Sequence, residues 1–502
     1  MAVAPLSPLA CYRALQAHDA RFDGRFFVGV TSTGIYCRPI CRARLPARRH
    51  CTFHATAAAA EAAGFRPCLR CRPELAPGVT AREASAALAH AAARMIDDGA
   101  ADHERLTRLA ERIGVSARHL RRMFADEFGV TPVHYAQTHR LLLAKRLLTD
   151  TALPPAVVAA ASGFRSDKRM AGSLSERYGV STRRLRRAGG AAPPGGDTLE
   201  LSLAYRPPYD WAHLLAFLAK RAIPGVEDVT ATTYRRVVRF APARAGAPAI
   251  TGWIELDHRP ERHALQLRVP DTLATVLQPL LGRCKQVFDT AAEPDLIAAA
   301  LGPLAADAPG VRLPGAFDGF ELALRAILGQ QVTVQAARTL ATRFVDAFGE
   351  VAATPFAALG RVFPPPARVA RLTRDDIARL GIVGARADAM IALARAVDDG
   401  TLSLVDGADP EATVRALCAV RGIGPWTANY IAMRALSWPD AWLPKDVALL
   451  NALALANTGA GQRTADALAA AWRPWRSYAV LHLWRSLDAP SRQRRTHAGE
   501  PS

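Results

Sequence analysis

The chain has 502 residues, half of them hydrophobic, and its mean hydropathy is near neutral, so it is too long for one core and unlike a disordered or fibrous protein. A leader with a cleavage site and an apolar run of about twenty uncharged residues are both missing, so a cytoplasmic location is expected. The formal charge is +19, and the first 187 residues hold a net +15 of it, an asymmetry that points to nucleic acid.

Residues 1–80 read as the first domain. Six of the eight cysteines fall here, and four are paired as Cys37-x3-Cys41 and Cys68-x2-Cys71, with Cys11 and Cys51 left over as ordinary core or surface residues. Paired thiols suit a tetrahedral Zn²⁺, and a disulfide framework is the poorer explanation in a cytoplasmic protein. Phe22-Asp23-Gly24-Arg25-Phe26-Phe27, Thr33-Gly34-Ile35-Tyr36-Cys37-Arg38-Pro39-Ile40-Cys41 and Ala63-Gly64-Phe65-Arg66-Pro67-Cys68-Leu69-Arg70-Cys71 closely resemble the N-terminal domain of the Ada proteins. The resemblance implies that Cys37, Cys41, Cys68 and Cys71 hold one zinc and that Cys37 takes a methyl group from a DNA methylphosphotriester. Zinc would keep the thiol ionised at neutral pH. Four thiolates on one Zn²⁺ repel phosphates, and losing one negative charge on methylation would let the spent site bind DNA more tightly.

Ala76-Pro77-Gly78 punctuates the end of that domain, and a helical segment, Ala81 to Asp98, leads into the next, 81–188. An internal repeat appears there at an offset of fifty residues. Leu120, Phe124, Phe128, Gly129 and Val130 recur as Met170, Leu174, Tyr178, Gly179 and Val180. Each copy lines one helix face with apolar residues and follows a small-residue helix and turn, Leu109 to Ser116 and Val157 to Ser166. Two such units resemble the DNA-binding domain of AraC-type regulators. Ser116, Arg118, Arg121 and Arg122 in the first copy, and Ser166, Lys168 and Arg169 in the second, would then face DNA. The second copy departs from the family pattern at Met170, Leu174 and Thr182, which favours DNA affinity over a sharp sequence preference.

Residues 189–197 form a glycine- and proline-rich linker. The segment 198–270 alternates in short strand-like runs around one helix, Trp211 to Ala222, with Leu199 to Tyr205 and Val229 to Phe240 as its clearest strands. An α+β domain of this kind also occurs in AlkA, and the expected role is structural support.

From Asp271 to Leu487 the periodicity predicts helices. Phe320 to Gln331 is expected to form one, ending in a Gly329-Gln330-Gln331 loop. Further on, Ala416 to Val420, Arg421-Gly422-Ile423-Gly424-Pro425 and Trp426 to Leu436 form a helix-hairpin-helix, in which Gly422 and Gly424 bring backbone N–H groups close to a phosphate. Leu443-Pro444-Lys445-Asp446 then opens a helix expected over Val447 to Ala456. By position alone Asp446 is a helix N-cap. The order Gly-Ile-Gly-Pro-Trp-Thr-Ala-Asn-Tyr, Leu-Pro-x-Asp, and Trp475-Arg476-Ser477-Tyr478-Ala479 resembles the AlkA branch of the helix-hairpin-helix DNA glycosylases, and the likeness runs from about Thr198 to Trp484. It implies that Asp446 is catalytic, that Trp426, Tyr430 and Trp484 line a pocket for a flipped base, and that Gln331 occupies the wedge position. Trp426 stands where strand-cutting relatives carry a lysine, so no covalent Schiff base is expected. Trp472 and Trp475 are assigned to the core.

The expected architecture is multidomain and mainly α: a small zinc-bound α+β domain, a tandem helix-turn-helix, an AlkA-like α+β domain, an all-α glycosylase domain (271–488) and a disordered tail (489–502). The expected function joins hydrolytic excision of N-alkylated purines, 3-methyladenine above all, to methylation-dependent DNA binding and transcription activation. Double-stranded DNA is the partner, and RNA polymerase a further one. A methylation-activated transcription factor with a catalytically silent glycosylase half stands as the alternative.

Overall fold

A computed structural model describes residues 6–78, 84–97, 107, 109–110, 115–188, 197–240, 248–405 and 407–488. The segment 489–502, most of the 189–197 linker and parts of the 81–98 and 109–116 helices lie outside the described residues.

The N-terminal domain is built on four short strands, β1 (Phe27–Val30), β2 (Ile35–Cys37), β3 (Cys51–His54) and β4 (Arg66–Pro67), in the order β3-β1-β2-β4. Strand β4 runs parallel to β2 with Tyr36 opposite Pro67, and the Cys68 N–H donates to the Tyr36 carbonyl at 3.0 Å. That register sets Cys37 and Cys68 side by side at the ends of neighbouring strands.

The fifty-residue repeat becomes two helices, Ala117–Phe128 and Asp167–Tyr178. Leu120, Phe124 and Phe128 are buried in one, and Met170, Leu174 and Tyr178 in the other. Ser116 and Ser166 are their N-caps, accepting from the N–H groups of His119 and Arg169, so both hydroxyl oxygens are engaged in starting helices. Both helices end at a left-handed glycine, Gly129 (φ +70°) and Gly179 (φ +64°).

The N-terminal domain grips the same point of each copy. The Thr56 hydroxyl donates to the Phe128 carbonyl (3.2 Å) and the Arg66 guanidinium to the Tyr178 carbonyl (3.4 Å). Between them the buried carboxylate of Glu61 accepts from the hydroxyls of Tyr36 (3.1 Å), Tyr178 (2.8 Å) and Thr138 (3.0 Å). A second buried carboxylate, Glu74, meets the Lys145 ammonium at 2.6 Å on the long helix Pro132–Asp150.

Residues 198–270 form an antiparallel sheet of β5 (Thr198–Ala204), β6 (Glu227–Val229), β7 (Thr233–Phe240), β8 (Ile250–Arg259) and β9 (Ala264–Pro270), ordered β5-β9-β8-β7-β6. The expected single strand over Val229 to Phe240 is instead two. The Thr230 hydroxyl accepts from the N–H groups of Thr232 and Thr233 and turns the chain between β6 and β7.

Helices dominate beyond Asp271, broken by a two-stranded ribbon, β10 (Glu350–Val351) with β11 (Arg361–Val362), that periodicity does not predict. The helix expected to reach Gln331 stops at Leu328, and the one expected to reach Ala456 stops at Ala452. In each case the chain soon enters the left-handed region, at Gln331 (φ +54°) and Ala454 (φ +54°), which a helix cannot continue through. Trp475 is buried and Trp472 packs on the core, as expected. No described helix is long and apolar enough to cross a membrane.

One buried acid reports on this core. Asp289 accepts from the Tyr478 hydroxyl (2.8 Å) and the Leu313 N–H (2.9 Å), yet burial pushes its carboxyl up to about 6 from an ordinary 3.8, against the pull of Arg312. A folded value above the unfolded one means that the fold holds the proton more tightly, so this contribution is complete below about pH 4 and is lost as pH rises through about 6. Asp289→Asn should therefore flatten the fall of Tm between pH 4 and 7 and gain about 1–3 kcal/mol over wild type at neutral pH. Parallel pH profiles for the two proteins would contradict this.

Candidate DNA-repair sites

Two clusters of reactive side chains stand out, one in each half of the chain.

In the N-terminal half, the sulfurs of Cys37, Cys41, Cys68 and Cys71 all lie within 4.8 Å of one another. A tetrahedral Zn²⁺ with Zn–S bonds of about 2.3 Å needs sulfurs about 3.8 Å apart, and four soft thiolates are the donor set that zinc prefers, so these residues fit the ion. The four sulfurs differ in what they accept. The Arg38 N–H donates to Cys71 (3.3 Å) and the Arg70 N–H to Cys68 (3.4 Å). Cys37 accepts no backbone N–H among the described residues, and it is 9% exposed at the end of β2. Arg38 is buried against Asp23, which fixes the backbone directly after Cys37. Cys11 is buried in a separate apolar cluster and Cys51 packs beside it, away from the four ligands.

In the C-terminal half, a cavity of about 500 Å³ is lined by Trp426, Tyr430, Asp446 and Trp484 together. The hairpin makes this possible. Helix Pro410–Ala419 ends, Gly422 takes φ +95°, and helix Pro425–Ala435 restarts from Gly424. A side chain at Gly422 would be strained and would press on Ala389, whereas nothing lies within 4 Å of a Cβ at Gly424, so that backbone is open to a phosphate. Trp426 and Tyr430, one turn apart, stack at 5.3 Å with planes 9° apart, and Trp484 closes the side at 6.4 Å from Tyr430.

Asp446 does two jobs at once. Its Oδ1 accepts from the Leu449 N–H (3.0 Å) and caps helix Val447–Ala452, while Oδ2 accepts from the Trp426 indole N–H (2.8 Å) at the cavity wall. The preceding Lys445 sits at φ +60°, held by its N–H donating to Gln462. This turn aims a carboxylate that is only 8% exposed at the aromatic pair.

Gln331 is exposed, with its backbone in the left-handed region at φ +54°. Its neighbour Gln330 ties that loop to the hairpin, donating to the Gly422 carbonyl (2.9 Å) and the Thr427 hydroxyl (3.2 Å). Sequence reasoning missed Gln330, although a side-chain amide next to the wedge position is a suitable strut. It also gave the 198–270 domain support alone, and that needs correction: His213, Phe217, Lys220 and Arg221 from its helix and the turn after it form one wall of the cavity. The Tyr430 hydroxyl accepts from Arg434 (2.9 Å), and although burial opposes it, the guanidiniums of Arg434 and Arg221 hold the phenol down to about 8.

In the helix-turn-helix half, Arg118, Arg121, Arg122, Lys168 and Arg169 are all exposed on the two repeat helices, facing away from the core. Arg122 is partly engaged with the His119 ring at 3.1 Å.

Comparison with known proteins covers both halves. In chain order, the sequence matches the metal binding domain of Ada over residues 10–74, a helix-turn-helix domain over 109–188, the AlkA N-terminal domain over 200–318, and the HhH-GPD superfamily base excision DNA repair protein over 324–476. It is 36% identical over 493 residues to the probable bifunctional transcriptional activator/DNA repair enzyme AlkA of Mycobacterium tuberculosis (strain ATCC 25618 / H37Rv), covering 96% of this chain and 97% of that one. It is 36% identical over 283 residues to DNA-3-methyladenine glycosylase 2 of Escherichia coli (strain K12), covering 56% of this chain and 96% of that one. It is 31% identical over 242 residues to the bifunctional transcriptional activator/DNA repair enzyme Ada of the same strain, covering 47% and 64%.

Proposed function

Because the chain belongs to the family of bifunctional transcriptional activator/DNA repair enzymes that join an Ada metal-binding domain to an AlkA-type glycosylase, we propose that it excises N-alkylated purines from DNA and senses backbone methylation. The observation that carries the first activity is that Asp446, whose second oxygen caps nothing and accepts from the Trp426 indole, lines one cavity with Trp426, Tyr430 and Trp484.

Alkylation at a ring nitrogen makes a purine cationic and a good leaving group, so the enzyme needs no acid to protonate it. It must stabilise the positive sugar and admit water. Asp446 supplies the anion, with its orientation fixed by Trp426 and by its own helix. The stacked rings of Trp426 and Tyr430 receive the flipped base. Gly422 and Gly424 hold the phosphate, and Gln331 enters the gap in the duplex. With Trp426 in the position of a lysine, the amine with which strand-cutting relatives form a covalent intermediate is replaced by an indole.

In the other half, the Cys37 sulfur attacks the methyl carbon of a phosphotriester, and the phosphate oxygen leaves with the bonding electron pair as a diester. Bound Zn²⁺ keeps the cysteines ionised at neutral pH. Alkylated Cys37 carries one negative charge fewer, which eases the approach of DNA phosphates to Arg118, Arg121, Arg122, Lys168 and Arg169. The hydrogen bonds from Thr56 and Arg66 to the two repeat helices, with Tyr36 directly before Cys37 bound to Glu61, give a route by which DNA binding and RNA polymerase recruitment follow methylation.

The purified protein should release 3-methyladenine from alkylated duplex DNA and leave no borohydride-trapped protein–DNA adduct. A trapped adduct would contradict the hydrolytic route.

A further inference from the structure

The floor of the aromatic cavity carries more positive charge than its carboxylates balance. Four guanidiniums, Arg221, Arg236, Arg325 and Arg434, lie beneath it with three carboxylates, Glu227, Glu321 and Asp318, the last of which caps its helix by accepting from the Glu321 N–H. Arg325 pairs with Glu227 (2.6 Å) and Glu321 (2.8 Å), and Arg236 with Glu321 (2.8 Å), so both glutamates are taken. Arg434 donates only to the carbonyls of Pro314 (2.8 Å) and Gly315 (3.1 Å) and to the Tyr430 hydroxyl. Arg221 lies flat over the Phe217 ring at 3.7 Å and donates to the Phe217 carbonyl at 3.1 Å. Among the described residues neither Arg221 nor Arg434 has a carboxylate partner. Arg221, unlike Arg236, also lines the cavity that holds Asp446.

The contacts run in order: Asp446 to Trp426, Trp426 stacked on Tyr430, and Tyr430 beside Arg434 and Arg221. A base stacked on the aromatic pair with its sugar at Asp446 therefore points its far edge towards guanidinium. A cationic base gains from the rings and loses against that charge. An uncharged base with a carbonyl on that edge accepts a hydrogen bond instead, and the bond strengthens as the base departs with negative charge.

We propose that Arg221 is a specificity-determining residue that reads the charge of the flipped base, favouring release of uncharged, carbonyl-bearing lesion bases relative to cationic ones. This rests on the cavity being the base site. In the step concerned, the C1′–N bond breaks with its electron pair on the base, the oxygen of water bonds to C1′, and one water proton ends on the released base. For a cationic base that proton goes to solvent instead.

The test uses the full chain under single turnover on duplexes with one 7-methylguanine, cationic in DNA, or one hypoxanthine, which is uncharged and bears a carbonyl. The readout is the ratio of hypoxanthine to 7-methylguanine release. Arg221→Met should lower it at least about tenfold, and Arg221→Lys, which keeps the charge, should restore most of it. Should the methionine variant fail to fold, Arg221→Gln is read in its place. An unmoved ratio, or wild type releasing 7-methylguanine but no hypoxanthine, overturns the inference alone. Wild type that releases neither base overturns the base-site reading and the inference with it.

Discussion

After incubation with DNA carrying methylphosphotriesters, peptide mapping should place one methyl group on Cys37 and none on Cys41, Cys68 or Cys71, and Cys37→Ser should reduce methyl uptake to background. A thiolate's nucleophilicity falls as hydrogen bonds stabilise its charge. Two of the four sulfurs, Cys68 and Cys71, accept backbone N–H groups, from Arg70 and Arg38, and Cys37 does not among the described residues. Serine in its place keeps an oxygen near the ion but offers a hydroxyl with an ordinary, high pKa and little nucleophilicity. Zinc content measured beside methyl uptake separates loss of the nucleophile from loss of the site. A methyl group mapped to Cys68 or Cys71 would contradict the assignment, since those sulfurs carry the donors said to quiet them.

The two halves were unequally legible in the sequence. Cysteine spacing announces its chemistry because metal geometry forces ligands into short local pairs, and the structure gathers the same four sulfurs. The repeat was equally open: fifty residues apart, the same positions are buried and the same glycine ends each helix. Asp446 could be read as a cap or as a site residue, and it is bonded as a cap through one oxygen while the other accepts from the indole of Trp426, with which it lines the cavity. What stayed hidden depends on contacts across long stretches of chain. Arg221 and Phe217 reach the cavity from a helix and turn some two hundred residues before the hairpin, and nothing in their local pattern separates a wall residue from a buried support. Glu61 looks like one exposed acid in an alanine-rich helix, yet it joins Tyr36, Thr138 and Tyr178. The turn at Thr230 was missed for a plainer reason: β-branched residues favour strands until one hydroxyl captures two backbone N–H groups.

The second large effect is expected at Asp446. Asparagine is as good an N-cap as aspartate, so Asp446→Asn should keep helix Val447–Ala452 and the bond from Leu449. The amide would then turn its NH₂ to the Trp426 indole N–H, one donor against another, at a cost of about 1 kcal/mol. The main loss is the negative charge next to a sugar that becomes positive, and removing one preorganised electrostatic partner costs about 10²–10³ in rate. DNA binding through Gly422, Gly424 and the basic repeat helices does not call on that charge. The decisive measurement is single-turnover release of 3-methyladenine from alkylated duplex by wild type beside Asp446→Asn, with DNA affinity recorded on the same samples. A fall of at least about 10²-fold at nearly equal affinity is the predicted result. Equal rates, or no release by either protein, would leave this half of the chain as a scaffold that only holds DNA.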